Sequence, residues 1–317
     1  MNVGILRPCL LPVSKTGLSG HEARRRTPRR KSRHITTTSA AKGEVDVVLS
    51  SGFLAFAKHS GFLKAVHESD LKVKGVMGTS AGAYTGSLYC AGYSPDVIGQ
   101  LLCGDPPIER LRLNWQFWNG LISLEAVVER LEELLPPTFE ELDREFAVGV
   151  MDCEGCHRMI NSGPLPEAVA ASGAIPLLFA GVDIPGREED NPFKDGGSVD
   201  RIGLKLWRNH RRSLLEASNN SKPSASPSDW FSKSKSPASV PDALVHVISR
   251  SSPFSGTDDI TKSGERRVAY LESSKSGVNF FDIGDYKGQM MATRDRAMRV
   301  IQRVEEELEK SERIVVG

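Results

Sequence analysis

Two short stretches of this chain hold residue types that could make and break an acyl bond. Residues 78–82 read Gly78-Thr79-Ser80-Ala81-Gly82, a serine at the G-x-S-x-G spacing. A serine hydroxyl is a weak nucleophile. It needs a base to take its proton and donors to hold the oxyanion formed when it attacks a carbonyl. The spacing suits a sharp strand-to-helix turn, in which Gly78 and Gly82 let the two backbones approach closely. The second stretch is Asp195-Gly196-Gly197. The two glycines let a loop bend so that the carboxylate faces a neighbouring side chain, and a shielded carboxylate at short range can act as base on a serine. Either stretch alone is equally a plain turn. Together they point to a nucleophile and its base.

Other assignments fit less well. A dinucleotide fold wants G-x-G-x-x-G, which "GVMGTSAG" does not match, and no Walker loop is present. A Ser–Asp–His triad finds its order in Ser80, Asp195 and His246. That type of hydrolase, however, places several strands before its nucleophile. Ser80 follows only the second expected strand, about 35 residues into the globular part. His59 and His67 read as helix-packing or surface residues.

The elements around these residues follow from hydrophobic spacing. Residues 45–50 and 71–78 read as strands, and 59–69 and 81–92 as helices, an alternation that builds a parallel sheet. Residues 93–145 read as helical, with "SLEAVVERLEELL" (123–135) capped by Ser123. A strand follows at 146–152, helices at 164–176 and 201–217, a strand at 243–249, and a long amphipathic helix at 287–313. The fold class is α/β with a mostly parallel central sheet.

Three ordered motifs carry a resemblance: "GTSAG" (78–82), "ASGAIP" (171–176) and "DGG" (195–197). The chain resembles the patatin-like phospholipases over roughly residues 45–205. The resemblance implies a three-layer α/β/α fold. It implies a Ser80–Asp195 dyad without histidine, and hydrolysis of lipid acyl esters (phospholipase A, lysophospholipase or galactolipase type) through an acyl-serine. It implies no metal and no cofactor. One motif departs. Where the family's oxyanion loop has three glycines, this chain has Ser51, Gly52 and Phe53; Ala55 stands in place of the arginine and Phe56 in place of the last glycine. Backbone N–H groups of Ser51, Gly52 and Phe53 are the expected oxyanion donors. Phenylalanine cannot take φ > 0 as cheaply as glycine, so the loop must adopt another shape or hold the oxyanion less well. An acyltransferase, or a weakly active or inactive lipid-binding scaffold on the same fold, are the alternatives.

Composition bounds the rest. Residues 1–42 hold ten Lys or Arg and one acid, Glu22, so the remainder carries 31 basic and 39 acidic residues. A body with that net charge of −8 is a poor nucleic-acid binder. The Arg-, Ser- and Thr-rich head reads as an organelle transit peptide, chloroplast before mitochondrion, with a nucleic-acid arm as the competing reading. No apolar run reaches the 18 or so residues of a membrane span, so contact with lipid is peripheral, from the water side. The catalytic domain is expected over 43–313, interrupted at 218–239 by a disordered insertion of nine serines and three prolines in 22 residues. Trp230 and Phe231 in that insertion carry no assigned role. Cys153 and Cys156 form a lone C-x-x-C with no second ligand pair, read as a turn between two strands. Trp115, Phe117 and Trp118 are read as core packing, with an acyl-binding wall or lid as the functional alternative.

Overall fold

The run Val45–Leu49 is apolar at four of five positions because both faces of the strand it forms are covered. The computed structural model describes residues 43–104, 112–113, 121–220, 242–250, 255–257 and 264–316. In chain order these form β1 (Glu44–Leu49), α1 (Phe56–Glu68), β2 (Lys72–Thr79), α2 (Ala81–Cys90), α3 (Pro95–Cys103), β3 (Arg112–Leu113), β4 (Ile122–Ser123), α4 (Glu125–Leu134) and β5 (Glu145–Met151). They continue with β6 (His157–Ile160), α5 (Leu165–Ser172), β7 (Lys194–Asp195), α6 (Leu204–Asn220), β8 (Asp242–Ile248), β9 (Val268–Ser273) and α7 (Tyr286–Val316).

The main sheet runs β6-β5-β2-β1-β8-β9, with β7 added to β5. Strands β5, β2, β1, β8 and β9 are mutually parallel, while β6 and β7 pair antiparallel with β5. Alternation along β1 sorts the two faces. Val45, Val47 and Leu49 pack with Phe62, Leu88 and Ile301 on the side of α1, α2 and α7. Val48 packs with Ile202 and Trp207 on the side of α6. The result is the three-layer α/β/α architecture.

Asp46 is the one buried charged residue of β1, lying fully buried on the α6 face. Arg211 holds both its oxygens, at 2.9 and 2.7 Å, reaches Glu145 at 2.5 Å, and stacks on the Trp207 ring. Burial pushes the Asp46 carboxyl up and Arg211 pulls it back. This cluster sits where β1 begins, away from Ser80 at the far end of β2.

Residues 93–145 are not continuously helical. Helices α3 and α4 are separated by the two-residue strands β3 and β4, which pair with each other and are too short to leave a period-2 signal. Ser123 lies one residue further out than an N-cap, its hydroxyl accepting from the Glu125 N–H at 3.2 Å. Residues 218–220, expected to begin the insertion, are the last turn of α6. The C-x-x-C is the turn between β5 and β6: Asp152 takes the N–H groups of Glu154 and Cys156 and the Arg158 guanidinium on its carboxylate. The transit-peptide reading of 1–42, the rest of the Ser/Pro-rich insertion, and Trp115, Phe117, Trp118, Trp230 and Phe231 lie outside the described residues. Among the described residues no helix is long and apolar enough to cross a membrane.

Candidate active site

Strand β2 ends at Thr79, opposite Gly149 of β5, and helix α2 begins at Ala81. Ser80 is the single residue between them. Its backbone sits at φ 53°, ψ −122°, a conformation non-glycine residues rarely adopt. Such strain costs about 1–3 kcal/mol and persists only where the surroundings impose it. Here the surroundings are tight. A Cβ on Gly82 would lie 2.2 Å from the Leu49 carbonyl oxygen, and one on Gly78 would lie 2.5 Å from the Gly82 carbonyl oxygen. The reversal at Ser80 turns its hydroxyl out of the sheet and into a cavity at the N-terminus of α2, where the helix dipole favours negative charge.

The register of β5 explains how Asp195 arrives there. β2 pairs with β5 up to Gly149, and β7 takes over at the next residue, pairing Asp195 with Val150. Asp195 therefore continues the position that β2 vacates when the chain turns at Ser80, and the Ser80 hydroxyl lies near enough to its carboxyl to favour the ionised form. Gly196 fits because a Cβ there would strike the Gly149 backbone at 2.6 Å. The Gly197 N–H donates to Asp195 Oδ1 at 2.7 Å. The carboxyl is buried, and burial raises its pKa to about 6; the Gly197 N–H, the Ser80 hydroxyl and the Arg201 charge limit the rise. It is therefore ionised at neutral pH yet close enough to that pH to accept a proton. Burial, together with the Asp195 charge, pushes Tyr84 up, so the neighbouring phenol stays neutral.

Motif "ASGAIP" supplies a buried tether for the turn at Ser80. Ser172, fully buried at the end of α5, accepts the Ser80 N–H at 2.8 Å and donates to the Gly149 carbonyl at 2.7 Å. It ties the strained turn to β5.

The loop before α1 supplies the other wall. The Ser51 N–H donates to the Arg201 carbonyl at 2.7 Å, so it cannot also face an oxyanion, and the expectation for Ser51 is corrected. Among the described residues the N–H groups of Gly52 and Phe53 have no partner, and both residues line the cavity with Ser80. Phe53 escapes the strain that its size threatened, because the left-handed residue of the loop is Leu54, at φ 49°. Gly52 is required for space: a Cβ there would come within 2.7 Å of Ile248 Cβ. Ser276 donates to the Phe53 carbonyl at 2.6 Å, and Phe280 packs edge-on against the Phe53 ring. Ser276 and Phe280 are site residues from a region whose sequence carries no motif.

The cavity is about 170 Å³ and mainly apolar, walled by Phe56, Tyr84, Leu131, Ile175, Phe179 and Phe280 among others. Arg130 is the one charged side chain among the described residues lining it, and its guanidinium is paired with Glu133 at 2.5 Å. The triad alternative does not assemble. The His246 ring meets His59 at 2.9 Å and Ser273 at 3.0 Å and stacks on Phe62, on the α1 side of the sheet. Burial holds His246 well below its usual range and His59 down to about 3, so both are neutral packing residues.

A three-layer α/β sheet with a strained serine between strand and helix defines the class of protein. The sequence profile of the patatin-like phospholipases matches residues 47–206, just over half of the chain. The chain belongs to the patatin-like phospholipase family. It is 27% identical over 183 residues to uncharacterized NTE family proteins of Mycobacterium tuberculosis and Mycobacterium bovis, a stretch covering 54% of this chain and 47% of theirs. The chain thus spans about half the length of the curated relatives it matches. Similar solved structures include VipD from Legionella pneumophila, with TM-score 0.44 and 12% identity over 84% of this chain and 67% of that one. The type III effector ExoU superimposes with TM-score 0.42 and 13% identity, over 83% and 54%.

Proposed function

We propose that this protein is a lipid acyl hydrolase working through a Ser80–Asp195 dyad. One observation carries the reading: a strained serine at a helix N-terminus lies beside a buried carboxylate and opens on an apolar cavity bordered by two free backbone N–H groups. Ser80 Oγ attacks the ester carbonyl carbon as its proton passes to Asp195. The carbonyl oxygen becomes the oxyanion and takes hydrogen bonds from Gly52 and Phe53. Each such donor is worth about 2.7–4 kcal/mol in the transition state. The tetrahedral intermediate collapses, the ester C–O bond breaks, and the leaving alkoxide receives the proton from Asp195. Water then attacks the acyl-serine carbonyl as the same carboxylate takes its proton; the acyl–Oγ bond breaks, Asp195 returns the proton to Ser80 Oγ, and the free carboxylic acid leaves. The apolar cavity takes the acyl chain, and burial there excludes water from the alkyl carbons. The residues and the chemistry need no metal or cofactor.

A fluorophosphonate probe tests this directly. Wild type is labelled at Ser80, Ser80→Ala is not, and Asp195→Asn is labelled far more slowly. A folded wild type that stays unlabelled sinks the reading. The basic head is proposed as an organelle transit peptide, on composition alone. Import of a reporter fused to residues 1–42 into isolated chloroplasts and mitochondria checks it, and exclusion from both overturns it.

A further inference from the structure

Arg201 lies six residues beyond Asp195, and the residue is 2% exposed. Its Nε donates to Ser51 Oγ at 3.2 Å and its Nη2 to the Ser51 carbonyl at 3.0 Å. The same Nη2 reaches the Ile248 carbonyl at the end of β8, at 2.6 Å. Its own carbonyl accepts the Ser51 N–H at 2.7 Å. One residue therefore holds the N–H, the carbonyl and the hydroxyl of Ser51, the residue immediately before the two free donors. The segment that carries Arg201 is itself fastened: Arg201 N–H to the Thr257 carbonyl at 2.8 Å, Thr257 N–H to the Val199 carbonyl at 3.0 Å, and Gly256 N–H to the Gly197 carbonyl at 2.9 Å.

We propose that Arg201 is the positioning residue of the oxyanion loop, setting Gly52 and Phe53 in register with Ser80 and Asp195 from the segment that also carries the base. This rests on the acyl-hydrolase reading for its catalytic consequence, but not for its structural one. The loop needs such a clamp. Of the three glycines expected in the loop it keeps only Gly52, and its one left-handed residue is a leucine. A guanidinium suits the task because its planar fork donates along several fixed directions at once, whereas a lysine ammonium is a single point. Arg201 also acts on the base as a charge. The groups that face Asp195 are the Gly197 N–H, the Ser80 hydroxyl at the head of α2, the Tyr84 phenol on α2, and Arg201; of these only Arg201 is cationic.

Geometry and charge separate in two variants. Arg201→Lys keeps the charge and loses the fork. On a p-nitrophenyl acyl ester its kcat falls about 10²-fold, the scale of a misplaced donor, with KM within about twofold. The acid limb of its pH profile stays where the wild type has it. Arg201→Met loses both, so kcat falls and the acid limb also moves to higher pH. Hydrogen exchange of the peptide spanning 50–56 gives a readout independent of turnover, and rises about tenfold in Arg201→Lys while the peptide containing Ser80 keeps its protection. If Arg201→Met does not fold, Ser51→Ala takes its place and shows a smaller rise in the same peptide. Unchanged exchange at 50–56 in Arg201→Lys overturns the clamp. An inactive, unlabelled wild type whose exchange nevertheless responds overturns only the hydrolase reading. A fall in kcat matched by an equal rise in KM, with the exchange unchanged, assigns Arg201 to ground-state binding and also overturns the proposal.

Discussion

Ser172 Oγ lies 2.8 Å from the amide nitrogen of Ser80 and 2.7 Å from the Gly149 carbonyl oxygen, a buried bridge between the strained turn and the neighbouring strand. Removing that hydroxyl leaves a buried N–H and a carbonyl short of a partner, at a cost of about 1–3 kcal/mol. Ser172→Ala is therefore expected to lower the unfolding free energy by that amount, read from urea denaturation, and to slow fluorophosphonate labelling of Ser80. Ser172→Thr, which keeps the hydroxyl, retains more of both. Equal labelling rates in wild type and Ser172→Ala contradict the role.

Under the proposed dyad, Asp195 links activity to pH: its base form would be the working form, and its pKa is raised from 3.8 to about 6. Labelling should therefore rise with pH through a single step centred near 6. A profile flat from pH 5 to 8 excludes Asp195 as the titrating base.

The same shift acts on stability with the opposite sense. A raised carboxylate pKa means that the folded state binds the proton more tightly than the unfolded state. The cost of ionising Asp195 is thus absent below pH 3.8 and complete above about 6. A shift of roughly two units corresponds to about 3 kcal/mol. Asp195→Asn removes the charge and keeps an acceptor for the Gly197 N–H. It should be more stable than wild type at pH 8, with the gap closing as pH falls toward 4, as read by urea midpoints. A gap independent of pH contradicts the assignment.

Ser80 stores backbone strain, which glycine does not feel. Ser80→Gly is expected to be unlabelled yet more stable than Ser80→Ala by about 1–3 kcal/mol. Equal melting of the two variants shows the turn to be relaxed.

The Asp46–Arg211 pair is buried at the opposite end of β1. Arg211→Met strands a carboxylate in the core and should cost about 3–5 kcal/mol. The double variant Asp46→Val, Arg211→Met should recover most of that loss, since no charge is left unpaired. A double variant no more stable than the single one refutes this account.

The sequence showed most where the local rules are strict. The apolar runs at 45–50 and 71–78 announced strands and their alternation with helices a parallel sheet, and the small residues flanking Ser80 announced the turn, because only glycine fits backbones that close together. β3, β4 and β7 went unseen since two-residue strands have no period. The three glycine replacements suggested strain at Phe53, and the chain placed it on Leu54 instead.

By itself, then, the chain determined a serine in a strand-to-helix turn, a carboxylate ahead of two glycines, and an α/β architecture to carry them. These depend on residue size, backbone freedom and short-range spacing. What only the tertiary structure decided was which groups meet. The relay of β5 from β2 to β7 brings Asp195 to Ser80. Arg201 consumes the Ser51 N–H and leaves Gly52 and Phe53 as donors, and His246 is drawn away into the α1 layer. Those outcomes depend on strand register and on which buried polar group finds a partner, and both are settled by pairings between residues 43 to 187 positions apart in the chain.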